Sequence, residues 1–147
     1  MSGTLEPDGI RLLTGDWATL RGAAEPVRRA VFVVEQRFDE ALEWDEHDPL
    51  SVHAVAYSGS HPIATGRLLP DARIGRMAVL QTHRRGGVGG RVLQALIAIA
   101  RARGDAAVTL SAQAYVRAFY ARHGFEAFGP LYDDEGVPHQ SMRLRLA

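Results

Sequence analysis

The sequence contains no cysteine and no lysine, and each absence removes a class of chemistry. Without cysteine there is no disulfide, no thiolate zinc site and no thiol nucleophile. Without lysine there is no Schiff base on the protein and no phosphate loop ending in Gly-Lys-Ser/Thr. Asparagine is missing too, and the joint absence reads as GC-rich coding bias with no structural meaning. Net charge is also lacking: 17 acids balance 17 arginines, so no global field would gather nucleic acid. No apolar run approaches the ~18 residues of a membrane helix, and the first residues lack the basic-then-apolar order of a signal peptide. A cytoplasmic protein with no membrane partner is the expectation. With 46% hydrophobic and 23% charged residues, the chain has the composition of a folded protein. Its 147 residues suffice for one domain, 1–147, burying roughly 70% of its unfolded surface.

Charge is unevenly placed within that balance. Residues 35–48 hold seven acids against Arg37 alone, whereas residues 84–91 hold Arg84, Arg85 and Arg91 among four glycines. One region suits cations and another anions. The acidic run either lines the entrance for an acceptor or is a solvated face. Periodicity gives a strand at Ile10–Thr14, then an N-cap at Asp16 and apolar positions at helical spacing from Trp17 to Val34. Pro26 is expected to split that helix in two. A hairpin follows, His53–Tyr57 and Ile63–Leu69 around Ser58-Gly59-Ser60, then a strand at Ile74–Leu80. Val88–Arg103 is an amphipathic helix closed by Gly104. Ala107–Leu110 is a strand, Tyr115–His123 a helix closed by Gly124, and Phe125–Phe128 and Gln140–Leu146 the last strands, joined by a polar loop at Asp133–Pro138. The fold class is α/β (α+β): a mixed, mostly antiparallel sheet with helices on both faces.

The chemical signal is QTHRRGGVGGR at 81–91, between a strand and the strongest helix. Glycines there let successive N–H groups converge on one anion, and the helix adds its unpaired N–H groups and the positive end of its dipole. A pyrophosphate fits such a cradle, though a plain tight turn would use the same glycines. A dinucleotide fold fits poorly, because the loop follows the last strand of a meander and not the first strand of a βαβ unit.

Arg84-x-x-Gly87-x-Gly89 after the strand RMAVL resembles the acetyl-CoA pyrophosphate loop of the GNAT N-acetyltransferase superfamily. Ala118-Phe119-Tyr120, three residues, then Gly124-Phe125 resembles its second landmark. VFVVEQ (31–36), EWDEHD (43–48), AQAYVRAFY (112–120) and GVPHQSM (136–142) look most like the small bacterial ElaA-type branch. The resemblance spans nearly the whole chain. It implies a single GNAT fold whose sheet splays between the fourth and fifth strands, 74–80 and 107–110. It implies acetyl-CoA as co-substrate, with the pantetheine arm bonded to the main chain of Met77, Ala78 and Val79. The loop Arg84, Arg85, Gly86, Gly87, Val88, Gly89 and Gly90 would take the pyrophosphate, with Phe119 and Gln113 beside the arm; Gln113 stands where the family commonly has asparagine.

Acetyl transfer to an amine needs a proton acceptor for the amine and a proton donor for the leaving thiolate. Tyr120 matches the family's thiolate acid; with a phenol at ~10 and a thiol at ~8.5, the transfer is modestly uphill. His139 is the candidate base, because the branch carries a histidine in the same phrase and imidazole titrates near ~6.5. Glu35 is the rival base and a candidate for the acceptor wall, and a water chain is the third possibility. Arg67 and Arg76, on strands facing the cleft in the family fold, could clamp an acceptor carboxylate bidentately or simply snorkel from the sheet. The other histidines show no metal spacing, so no metal is expected. The reading is an N-acetyltransferase acting on a small-molecule amine, as monomer or homodimer. The alternative is a CoA-binding sensor or scaffold without turnover.

Overall fold

Asp16 caps the first helix as its position suggests. In the computed structural model, which describes residues 4–5 and 9–146, its carboxylate accepts from the Thr19 N–H at 2.9 Å. Helix α1 runs Trp17–Arg28 and turns Trp17, Leu20, Ala24 and Val27 inward. Pro26 does not split it. The carbonyl that loses its partner to Pro26 is that of Gly22, four residues earlier, and both residues are exposed, so water can serve that carbonyl. The irregularity comes later, where Arg29–Glu35 widens into a π-helix and the Gln36 N–H donates to Val31 O at 3.0 Å.

A single sheet of eight strands organises the described residues. The strands are β1 Thr4–Leu5, β2 Ile10–Gly15, β3 Val52–Ser58, β4 His61–Leu68, β5 Arg73–Val79, β6 Ala107–Gln113, β7 Glu126–Asp134 and β8 Val137–Arg145. Their order is β1-β2-β3-β4-β5-β6-β8-β7, and every pairing is antiparallel except β5 with β6. The last hairpin is longer than the sequence suggests. The polar stretch placed in a loop belongs to β7 and β8, and only Glu135-Gly136 turn, both with positive φ.

Short helix α2 (Glu40–Glu43) follows the π-helix, α3 spans Val88–Ala102 and α4 spans Arg117–Arg122. Alternation along β3 sends Val55 to α1 and Ala54 and Ala56 to the α3 side. Most of the core lies under α3, around Val92, Leu93, Leu96 and Ile97. Gly66 on β4 is required there, because a Cβ would come within 2.5 Å of the Met77 sulfur and 3.1 Å of Leu96 Cδ1.

The feature that makes the site is a bulge in β5. Thr65 faces Ala78 but Arg67 faces Gly75, so β5 carries one extra residue, and Arg76 takes φ 50. The bulge lets Ile74, Met77 and Val79 all join the core under α3, an odd spacing that a regular strand would divide between faces. It also bends β5 away from β6. The two strands pair only at Arg73–Thr109 and Ile74–Leu110, then separate.

Candidate active site

The separation of β5 and β6 opens a continuous cleft of about 1620 Å³. One wall is the free edge of β5. Leu80 N–H donates to Ile63 O on β4, so alternation turns the main-chain groups of Ala78 to β4 as well and leaves those of Val79 facing the slot. Of the expected main-chain groups, those of Val79 thus face the slot and those of Ala78 are turned to β4. The end of the slot is the N-terminus of α3. Its N-cap, Gly87, is left-handed at φ 81, no side chain caps it, and its first turn holds no acid. The first intrahelical bond is Arg91 N–H to Gly87 O, so the N–H groups of Val88, Gly89 and Gly90 have no partner within the helix.

The glycines of this loop do different jobs. A Cβ on Gly89 would meet Val79 Cγ2 at 3.2 Å, and one on Gly90 would meet the His123 ring at 3.0 Å. These two let α3 approach β5 and α4, whereas Gly87 supplies the turn. Arg85, also left-handed at φ 73, lines the cleft, as do Val88 and Phe119; Gly86 does not.

Arg84 is not extended toward the helix end. Its Nη1 and Nη2 form a bidentate pair with Glu35, at 2.6 and 2.7 Å, and its Nε donates to Val79 O at 3.0 Å. The hydrogen bond from Arg84 holds the Glu35 carboxyl below its ordinary range, which makes Glu35 a poor proton acceptor. Gln113, at the end of β6, donates through Nε2 to Gln36 Oε1 at 2.9 Å and accepts from the Tyr115 hydroxyl.

Tyr120 and His139 flank the slot from opposite faces of the sheet. Tyr120 sits in the core under α3, edge-on to Phe119 and Phe125 at 5.0 and 5.8 Å. Burial pushes its hydroxyl up to about 12. His139 lies across β8 from that core, opposite Gln113 on β6 and Tyr132 on β7, and is 8% exposed. Its Nδ1 is 2.8 Å from Val137 O. A carbonyl only accepts, so Nδ1 carries the proton and the Nε2 lone pair of the neutral ring remains available. Tyr132 stacks on the ring at 6.0 Å and 29°, and its hydroxyl bonds to the Ser111 hydroxyl.

Arg67 and Arg76 both line the cleft, and both are held in a network of ion pairs. Arg67 grips Asp45 with both Nη atoms, at 2.7 and 2.9 Å, and reaches Asp48 at 2.8 Å. Arg76 pairs with Glu43 and Asp45 at 3.2 and 3.3 Å. Arg28, 1% exposed, completes the set with Glu43 at 2.7 Å and Asp48 at 2.8 Å, its guanidinium held between the rings of Trp17 and Trp44. These arginines pair with Glu43, Asp45 and Asp48, whereas Glu46 stays exposed, and Glu35, Asp39 and Glu43 line the cleft. Burial raises the Glu43 carboxyl against the pull of Arg76 and Arg28. Asp45 is held at about 2 because Arg67 and Arg76 outweigh its burial.

Sequence reasoning missed Gln36, Tyr115, Ser111 and Tyr132. Gln36 stands beside the singled-out Glu35, but nothing in that phrase says it reaches β6. Tyr132 was hidden because the hairpin was read too short. The period-2 pairing of Tyr132 with His139 is the signal that a longer strand would have supplied.

Residues 16–146 match the family model described as an acetyltransferase (GNAT) domain. An uncharacterized N-acetyltransferase of Bacillus subtilis, YjcF, is 37% identical over 120 residues, covering 79% of this chain and 86% of the relative. The crystal structure of an acyl-CoA N-acyltransferase from Pseudomonas aeruginosa superposes with a TM-score of 0.81 at 28% identity, covering 91% of this chain and 98% of the other. Escherichia coli ElaA superposes at 0.82 with 26% identity over the same shares of the two chains. The chain belongs to the GNAT acetyltransferase family.

Proposed function

We propose that the protein is an acetyl-CoA-dependent N-acetyltransferase that moves the acetyl group directly to the amine of a small molecule within a ternary complex. The observation that carries the reading is the pairing, across one slot, of a buried imidazole with a free Nε2 and a buried phenol. The donor fits the residues present. The unpartnered N–H groups of Val88, Gly89 and Gly90 suit its diphosphate, and the slot-facing main chain of Val79 suits its amide-bearing arm. Bound there, the donor supplies an activated acyl group.

His139 Nε2 takes a proton from the acceptor's ammonium group and exposes the nitrogen lone pair. The nitrogen bonds to the acyl carbon as the carbon–sulfur bond breaks, and the proton shed by the new amide neutralises the leaving sulfur. Tyr120 donates to that sulfur. With its hydroxyl at about 12 and a thiol at ~8.5, outright transfer is uphill by about 5 kcal/mol. A hydrogen bond to the developing negative charge is therefore its main contribution, and the phenol stays protonated throughout the neutral range. Glu35, tied to Arg84, is the weaker candidate for the base.

Thiol release from acetyl-CoA, followed across a panel of small amines, tests the reading. Amine-dependent release is expected. Tight CoA binding with no release for any amine would instead indicate a sensor.

A further inference from the structure

We propose that Glu35 and Gln36 are positioning residues that clasp the cofactor slot, and that Arg84 must exchange Glu35 for the cofactor's diphosphate before the slot can fill. The inference rests on the reading of this slot as the CoA site.

All three nitrogens of the Arg84 guanidinium are engaged. Glu35 takes Nη1 and Nη2, at 2.6 and 2.7 Å, and Nε covers Val79 O at 3.0 Å. That carbonyl is the group β5 offers to an amide-bearing arm. On the opposite lip, Gln36 Oε1 accepts from the Gln113 side chain at 2.9 Å. Two consecutive residues thus tie the loop after β5 to the end of β6, the two strands whose divergence makes the slot. The π-helix brings them there: its wide turn, closed by Gln36 N–H on Val31 O, ends with Glu35 and Gln36 between the two lips.

Buried Val31, packed with Val27 and Ala78, anchors the start of this turn, whereas its end is exposed. Val34 is 69% exposed, and the Glu35 and Arg84 side chains are each about a third exposed. A partly exposed pair, even a bidentate one, is screened by water and can exchange partners. A guanidinium fork fits a phosphate as well as a carboxylate, and a diphosphate carries more charge than Glu35. The ligand therefore wins Arg84, uncovers Val79 O and releases the end of the helix. Glu35 competes with the ligand, so its removal should strengthen binding.

Coenzyme A binding to the intact chain, measured by calorimetry and stopped-flow, tests this. Glu35→Gln is expected to tighten binding by roughly threefold to fivefold, the range an exposed ion pair allows. Losing an acid near an anion site could tighten binding through the general field alone, so the gain is measured again with Arg84→Ala. A clasp acting through Arg84 predicts no gain in that background, whereas a field effect persists. Gln36→Ala, which changes no charge, should raise the association rate. Weaker or unchanged binding by Glu35→Gln, or an equal gain with Arg84→Ala, overturns the clasp. Failure of the unaltered protein to bind coenzyme A overturns the cofactor-site reading and the clasp with it.

Discussion

At the scale of single residues, the two proposed catalytic groups owe their chemistry to opposite environments. Tyr120 is raised to about 12 by the apolar packing around it, and it remains a hydrogen-bond donor at every pH where the enzyme would work. Tyr120→Phe keeps that packing and loses only the donor. It should lower kcat by roughly 10–10³-fold with little change in CoA affinity, read by steady-state kinetics and calorimetry. His139 is fixed by its neighbours: Val137 O sets the tautomer and Tyr132 covers a ring face. His139→Ala should lower kcat/KM, read by steady-state kinetics. Turnover by the variant close to that of the parent would transfer the base role to another group. Resemblance to the family, and not residue type alone, singled out both positions in the sequence. What Glu35 and Arg84 do was not visible, because neither residue type specifies a partner 49 positions away.

At the scale of elements, α3 and the strand before it frame the proposed anion site. Gly87 has open space around its missing Cβ and a left-handed backbone that aspartate and asparagine tolerate better than most residues. Gly87→Asp places a negative charge at the unpartnered N–H groups, and Gly87→Asn places a neutral group of nearly the same shape. Calorimetry should show CoA binding lost in the first variant and largely retained in the second, with both folded by circular dichroism. Equal losses would make the defect steric and remove the anion site. Gly89 is a poorer probe than the motif alone suggests, since its Cβ would press on Val79. The periodic apolar face of α3 and the cap at Asp16 could be read directly, being local in origin. The β5 bulge could not: Arg76 at φ 50 is no glycine, and the extra residue shows only against the register of β4. Pro26 misled for a related reason, since the cost of its missing bond depends on whether Gly22 O faces solvent.

At the scale of the whole molecule, the acidic segment 43–48 fastens the loop after the π-helix to α1, β4 and β5 through Arg28, Arg67 and Arg76. A one-dimensional run of acids shows its charge but not the three arginines, from separate elements, that meet it. Arg67→Ala would leave Asp48 and Asp45 with fewer partners, and breaking a buried network of this kind costs about 3–5 kcal/mol. Chemical denaturation should register that loss as a lower midpoint. The network also sets the acid stability. Asp45, held at about 2 in the folded chain against an ordinary value of 3.8, contributes stability that is fully present above the unfolded value and is lost as pH falls toward 2. Asp48 is shifted the same way, because Arg28 and Arg67 outweigh its burial. Glu43 acts in reverse: burial raises its carboxyl, so its ionised form costs stability at neutral pH and protonation in acid relieves that cost. The two aspartates should dominate below pH 4. Asp45→Asn should therefore melt well below the parent at pH 7, and the gap in Tm should close as pH falls from about 4 to 2, where the parent has lost the same charge. Melting curves collected across that window decide the matter. A gap that stays constant would show that Asp45 holds Arg67 by shape and hydrogen bonding, and that its charge contributes nothing to the fold.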